Sequence, residues 1–414
     1  MNVPMEWTKS MREFIQAHID DDTASLLLAA HRWPEVDVPV AVEQIEARRR
    51  LKTKLPEWYA QPDLIMGGRL AAEQCSSEQT ARYKRSLVEG TSLCDLTGGM
   101  GVDFWYMSEG LTRAIYTERQ PHLCEAARHN FAVLADGKHP EPEIRCGDGQ
   151  KLPIPSVDFI YLDPARRATD GSRVFAIDDC EPNLLEWQDQ LLAHAKTVLV
   201  KLSPMIDLTD TLRKLHHVTE VHVVAVRNEC KEVLVKLSPT ASPNPAQGGA
   251  TIHCIDFLAD RTIKYTFSPL APCSSPLITC TSPLAPNHYL YDPDVTLMKA
   301  QAWGSLCQRF PVSQLAHDTH LFTSPTLLPD FPGRIFVIDE VLPFSSKLLK
   351  QLRRQVPQAN IATRNLSLTA DQLRQRTGIR DGGSTYIFGA TSHTQGPIIL
   401  ICHKPFVTTS VQAT

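Results

Sequence analysis

Between residues 91 and 237, short apolar runs alternate with helical patterns, and no other feature of the chain constrains its fold as strongly. The runs SLCDL, RAIYTE, EIRCGD, VDFIYLD, TVLVKL and EVHVVAV have the length and residue types of buried strands. The stretches between them include QPHLCEAARHNFAVLA and EPNLLEWQDQLLAHA, whose apolar residues recur at helical spacing. Such an alternation builds a parallel, doubly wound α/β sheet. RNECKEVLVKLSP supplies a further strand, antiparallel to EVHVVAV through a short turn. Directly behind the first run stand Gly98, Gly99 and Gly101, with Asp95 just ahead of them.

A strand, a glycine loop and a helix form a nucleotide-type site, because open α/β sheets bind ligands at the carboxyl ends of their strands. Glycine permits a positive φ and lets a ligand lie against the backbone. The spacing in DLTGGMGVD is neither the dinucleotide fingerprint nor a phosphate loop. A carboxylate at Asp95 disfavours a pyrophosphate and suits a cationic group such as the α-amino group of S-adenosylmethionine. Two further acids end the next strands, as a class I methyltransferase requires. Glu118 closes RAIYTE and is placed to accept from both ribose hydroxyls. Asp148 closes EIRCGD and is placed to accept from the adenine amine. Thr97 and Asp103 of the loop join this set. Each acid alone also reads as a solvated strand-end cap; the three in order, with the glycines, favour the cofactor.

The fourth strand ends in Asp163-Pro164-Ala165-Arg166. The step resembles the Asp/Asn-Pro-Pro-aromatic motif of methyltransferases that modify exocyclic amines of bases. That resemblance implies that Asp163 and the Pro164 carbonyl accept hydrogen bonds from the target NH2 and align it for in-line displacement. Ala165 and Arg166 depart from the motif; an arginine can stack on a base or hold a phosphate. Asp-Pro-x-Arg also resembles uridine C5 methyltransferases, which need a cysteine thiolate after the fifth strand. Here that segment reads VKLSP, without cysteine, which argues against the carbon route. Lys201 and Ser203 of this segment either line the substrate pocket or cap a strand end.

The flanks differ in character. Residues 1 to about 85 read as helical, with TASLLLAAHRW and VAVEQIEARRRLKTKL at helical spacing. TIHCIDFLADRTIKYTFS reads as a hairpin. Residues 268–286 hold five prolines and read as a connector. A second α/β unit follows: RIFVID as strand, SSKLLKQLRRQVP and LTADQLRQRTG as helices, and DGGSTYIFGAT with PIILICHK as a closing hairpin. Thr369 and Gln372 have capping-box spacing, and Gly378 is a stop signal. The eleven cysteines include no CxxC pair and read as reduced thiols. His317 and His320 lack further ligands nearby, and no metal site is expected. No apolar run reaches 18 residues and the start has no apolar signal core, so a cytoplasmic protein with no membrane partner is expected. The net charge of -4 does not advertise a nucleic-acid binder, yet basic groups cluster in RRRLKTK (48–54) and over 340–385.

AEQCSSEQTARYKR, DLTGGMGVD, YLDPARR, VLVKLSPMIDL, VVAVRNECKEVL and IATRNLSLTADQLRQRTGIRDGGSTYIFGAT together resemble a family of bacterial class I methyltransferases with a C-terminal THUMP-like domain. The resemblance covers nearly the whole chain. It implies a helical N-terminal region (1–88), a Rossmann-like methyltransferase domain with a seven-stranded sheet (89–270), a linker with a small ferredoxin-like domain (271–322) and a THUMP-like domain (323–414). It implies S-adenosylmethionine as cofactor, with Gln74, Ser76, Ser77 and Thr80 folded over its methionine end. A helix N-cap explains the same serines equally well. THUMP-type domains bind structured RNA, so a tRNA or rRNA partner is implied, its phosphates held by Lys347, Lys350, Arg353, Arg354, Arg374 and Arg376. Methylation of a protein, DNA or a small molecule, or a noncatalytic RNA-binding role, are the alternatives.

Overall fold

The computed structural model describes residues 7–166, 176–242, 249–268 and 279–405. The chain divides into two compact units, one of residues 1–219 and 233–248, the other of 220–232 and 249–414.

The first unit opens with helices over Lys9–Ala17, Thr23–Leu28, Val38–Leu51, Gly68–Gln74 and Glu78–Arg85, among shorter turns. Side-chain oxygens of Thr8, Asp22, Asp37 and Ser77 accept the orphaned N–H groups at four helix starts. Met11, Phe14, Ile15, Leu26, Ala41 and Ile45 form a closed apolar cluster beneath these helices. The basic run 48–54 is consumed here. Arg48 is buried and donates to the carbonyls of Gln61, Pro62 and Leu64. Arg49 donates to Ile19 and Asp21, Arg50 pairs with Glu73, and Lys54 donates to Ala72 and Glu73. The run therefore ties helices together.

The sheet of this unit follows: β1 (Ser92–Asp95), β2 (Arg113–Glu118), β3 (Glu143–Cys146), β4 (Val157–Leu162), a short antiparallel pair β5 (Ala165–Arg166) and β6 (Cys180–Glu181), and β7 (Ala195–Leu202). β2 and β4 flank β1 in parallel, β3 lies beyond β2, and β7 lies beyond β4. β8 (Val218–Val226) leads through Arg227 and Asn228 into β9 (Glu229–Leu237), whose Val233–Leu237 half runs antiparallel to β7. Arg227 and Asn228 take φ of 54° and 61°, the left-handed pair of a tight two-residue hairpin turn. The strand order reverses between β1 and β4, which opens a crevice at their carboxyl ends.

In the second unit β8 pairs in parallel with β10 (Thr251–Phe257), which pairs antiparallel with β11 (Thr262–Phe267). The expected hairpin thus extends the edge of β8. A separate seven-stranded sheet carries the rest: β12 (Tyr289–Pro293), β13 (Ser313–Gln314), β14 (Phe322–Ser324), β15 (Gly333–Pro343), β16 (Asn360–Arg364), β17 (Thr385–Ser392) and β18 (Gly396–His403). Its order is β13-β14-β12-β15-β18-β17-β16. Leu290, Phe336, Phe388 and Leu400 form its core on one face. Helices Ser346–Gln355 and Ala370–Thr377 cover the other through Leu349, Leu352 and Leu373. Thr369 and Gln372 close the expected capping box, and Gly378 ends the helix at φ 68°. The proline-rich connector lies largely outside the described residues.

Candidate active site

The loop after β1 shows why its glycines are bare. A Cβ on Gly98 would stand 2.1 Å from the Tyr116 ring, and one on Gly101 would stand 2.7 Å from the Phe131 ring. Tyr116 and Phe131 are themselves in edge contact at 5.6 Å. Two of the three glycines therefore admit the protein's own aromatic core. Gly99 differs: it takes φ +56°, and a Cβ there would meet only the Thr97 carbonyl, at 3.8 Å. Its N–H donates to Glu118 and its C=O accepts from the Tyr116 hydroxyl, so only its Cα side is left uncovered. The bareness of Gly98 and Gly101 thus has a packing reason inside the chain itself.

Asp95 is 1% exposed, and its carboxylate accepts the Thr97 N–H at 2.9 Å. Burial pushes this carboxyl well above the usual range. The Thr97 N–H opposes the shift, and the charges of Asp103, Asp163 and Glu118 reinforce it. A pocket crowded with acids around a buried carboxylate fits a cationic ligand. Glu118 accepts the Gly99 and Gln120 N–H groups, one on each oxygen, at 2.8 Å. Each oxygen keeps a second lone pair. Asp148 is further out: it accepts from the Gln150 N–H and pairs with Lys151 at 3.3 Å, a cap at the surface.

Asp103 opens the helix after the loop and is the hub of a buried network. Ser76 and Tyr161 donate to it at 2.8 and 2.7 Å. Lys84 stands 3.2 Å and Lys201 3.8 Å from its oxygens. Burial would raise its carboxyl, but the two ammonium groups together with the Tyr161 and Ser76 hydroxyls hold it below the usual range. Lys84, fully buried, also donates to Ser76 at 3.1 Å. Lys201 reaches from β7 to Asp163 at 2.6 Å. The backbone N–H of Asp163 donates to Thr97 Oγ1 at 2.6 Å, so the Asp-Pro step is tied to the glycine loop. The Asp163 side chain stays 38% exposed, and Pro164 beside it is half-buried.

The remaining expected residues separate into two groups. Ser76 joins the hub, whereas Ser77 and Thr80 cap one another at the start of their helix, and Gln74 is exposed. Ser203 accepts the Met205 N–H in a turn, and Lys201 of the same segment joins the network. Arg166 pairs through its backbone with Cys180, and its side chain lies outside the described residues. In the second unit Lys347, Lys350, Arg353, Arg354 and Arg376 are exposed, while Arg374 is engaged by Asp371 and Asp381. His320 stacks on Trp303 at 4.2 Å and His317 pairs with Asp318. Lys84 and Tyr161 escaped the reading of the sequence. Thr80 and Lys84, one turn apart on the same helix face, were the available signal for the lysine.

A crystal structure of a protein from Porphyromonas gingivalis W83, assigned as a methyltransferase, is 36% identical to this chain, with a TM-score of 0.87. The match covers 98% of this chain and all of that one. The chain belongs to this family of class I methyltransferases. Residues 289–332 of the methyltransferase match a ferredoxin-like domain, and 333–404 match a family described as THUMP domain-like. Both matched segments contribute strands to the one seven-stranded sheet. Uncharacterized S-adenosylmethionine-dependent methyltransferases of Mycobacterium tuberculosis strains CDC 1551 and H37Rv are each 24% identical over 348 residues, covering 83% of this chain and 89% of theirs. S-adenosylmethionine is thus the methyl donor of this enzyme. Among the described residues no helix is long and apolar enough to cross a membrane.

Proposed function

We propose that this methyltransferase modifies an exocyclic amine of a base in structured RNA, a tRNA or rRNA. The observation that carries the reading is Asp163: a half-exposed carboxylate at the sheet's reversal point, fixed through its backbone to Thr97 and through its side chain to Lys201, with Pro164 beside it. One Asp163 oxygen and the Pro164 carbonyl accept the two amine hydrogens and present the nitrogen lone pair. Holding a nucleophile in this way lowers the barrier by several kcal/mol, the gain of fixed orientation. When bound, the donor supplies a methyl group on a positively charged sulfur. Asp95, Thr97 and the Gly99 backbone hold its amino-acid end, Glu118 its ribose and Asp148 its adenine. Asp103, paired with Lys84 and Lys201, holds the frame in which Asp163 and the loop meet.

The exposed bases Lys347, Lys350, Arg353, Arg354 and Arg376 of the THUMP-like domain favour RNA over a protein or small-molecule acceptor. Arg374 contributes less, because two aspartates engage it. The test incubates the enzyme with methyl-labelled donor and total RNA, DNA or protein from cells lacking the gene. Label entering RNA, and a single modified nucleoside missing from those cells by mass spectrometry, is expected. Label confined to DNA or protein overturns the reading.

A further inference from the structure

Away from the methyl-transfer site, Glu220, His222 and His253 of the second unit bring three metal-ligating atoms within 4.8 Å of one another. Strand pairing assembles them. Glu220 and His222 are two apart on β8 and so share a face. His253 on β10 is the direct register partner of His222, and Thr266 on β11 is the partner of His253. The His222 Nε2 lies 3.1 Å from Glu220 Oε2. The two imidazoles stack at 4.6 Å with an interplanar angle of 10°. His253 Nδ1 is 3.1 Å from the Thr266 hydroxyl. The His222 side chain is 3% exposed and that of Glu220 33%, so the group opens to solvent on its carboxylate side.

We propose that Glu220, His222 and His253 bind one divalent transition ion of the zinc type and pin β8 to β10. Two imidazoles and a carboxylate are the borderline donor set such ions select. Ligand atoms about 2.0–2.1 Å from a tetrahedral ion stand about 3.3 Å apart, close to the 3.1 Å between His222 and Glu220. Two parallel rings cannot aim both lone pairs at one ion, so coordination turns the His253 ring out of the stack. That rotation is about χ2, a soft torsion. The turn frees Nδ1 from the Thr266 hydroxyl, and the ring presents one nitrogen lone pair to the ion. A water completes the sphere on the open side beside Glu220. Both imidazoles bind in the neutral form, so the ion is released in acid.

Untagged full-length protein, freed of metal by chelation, is titrated with zinc chloride by calorimetry. One ion per chain and a melting temperature that rises with zinc are expected. Cobalt(II) in its place should give the visible bands of a nitrogen–oxygen site without a sulfur charge-transfer band. H253A should weaken binding at least about tenfold and E220Q by less, with S-adenosylmethionine affinity unchanged as the check on folding. His222 is buried, so H222A is secondary to these two. No zinc binding, or binding kept in H253A and lost instead in C146S at the exposed cysteine, overturns the proposal.

Discussion

Lys201 Nζ stands 2.6 Å from Asp163 and 3.8 Å from Asp103, so one ammonium joins the proposed acceptor-binding carboxylate to the buried hub. The same lysine lies at the end of β7, and Asp163 at the end of β4, its parallel neighbour. The proposed active centre is thus spread over strand ends that only the sheet brings together.

Removal of the Asp163 carboxylate should separate binding from chemistry. Asp163→Ala is expected to keep cofactor affinity in calorimetry and to lose methyl transfer. Asp95→Asn is expected to do the reverse first, weakening cofactor binding. An Asp95→Asn enzyme with undiminished affinity would remove the cofactor role from this residue.

Lys84 is fully buried against Asp103. Breaking a buried ion pair from one side leaves a stranded charge, at a cost of about 3–5 kcal/mol. Lys84→Met should lower stability in urea by that order. The double variant Lys84→Met/Asp103→Asn should cost less than the sum of the two single changes.

The glycine loop offers a contrast between neighbours. Gly98→Ala drives a methyl into the Tyr116 ring, and overpacking of this kind costs about 1–3 kcal/mol or more. Gly99→Ala meets open space and carries only the left-handed backbone, about 1–2 kcal/mol. Denaturant midpoints should order the two accordingly, while cofactor affinity should respond more to Gly99→Ala.

Asp256 is fully buried and accepts the Asn228 N–H at 2.9 Å. Burial, with Asp294 beside it, pushes its carboxyl from 3.8 up to about 7. Between those values the folded state keeps a proton that the unfolded state has lost. Its contribution is therefore full below the ordinary carboxylate range and is lost as pH rises through about 7. Urea midpoints should fall across that window and level off above it. Asp256→Asn should flatten the fall.

Charge reversal on the exposed helix face, Lys350→Glu with Arg354→Glu, should weaken RNA binding across sequences. The slope of log affinity against log salt should shrink by about one for each phosphate that is no longer neutralised. An affinity indifferent to salt would exclude phosphate binding by this face.

The alternation of apolar runs and helical patterns was enough to specify a parallel sheet, because burial on both faces demands continuous apolar strands. It also located Asp95, Glu118, Asp148 and Asp163, since a residue at the end of a strand is legible from the pattern. Thr369, Gln372 and Gly378 were legible because capping is local. Hydrogen bonds and ion pairs between distant segments were not. The RRRLKTK run read as a surface patch became a set of internal ties, because nearby carbonyls and Glu73 supply its partners. Gly98 and Gly101 read as ligand contacts, and that they also seat Tyr116 and Phe131 was set by residues outside the loop. β12 and β16 are only five residues long each, too short to announce themselves, and they exist because their neighbours complete their backbone hydrogen bonds. Sequence alone thus determined which strand ends carry acids. Tertiary structure decided that Asp163 meets Lys201 and that Asp103 meets Lys84, because pairing between groups 38 and 19 residues apart in the chain depends on distance in space.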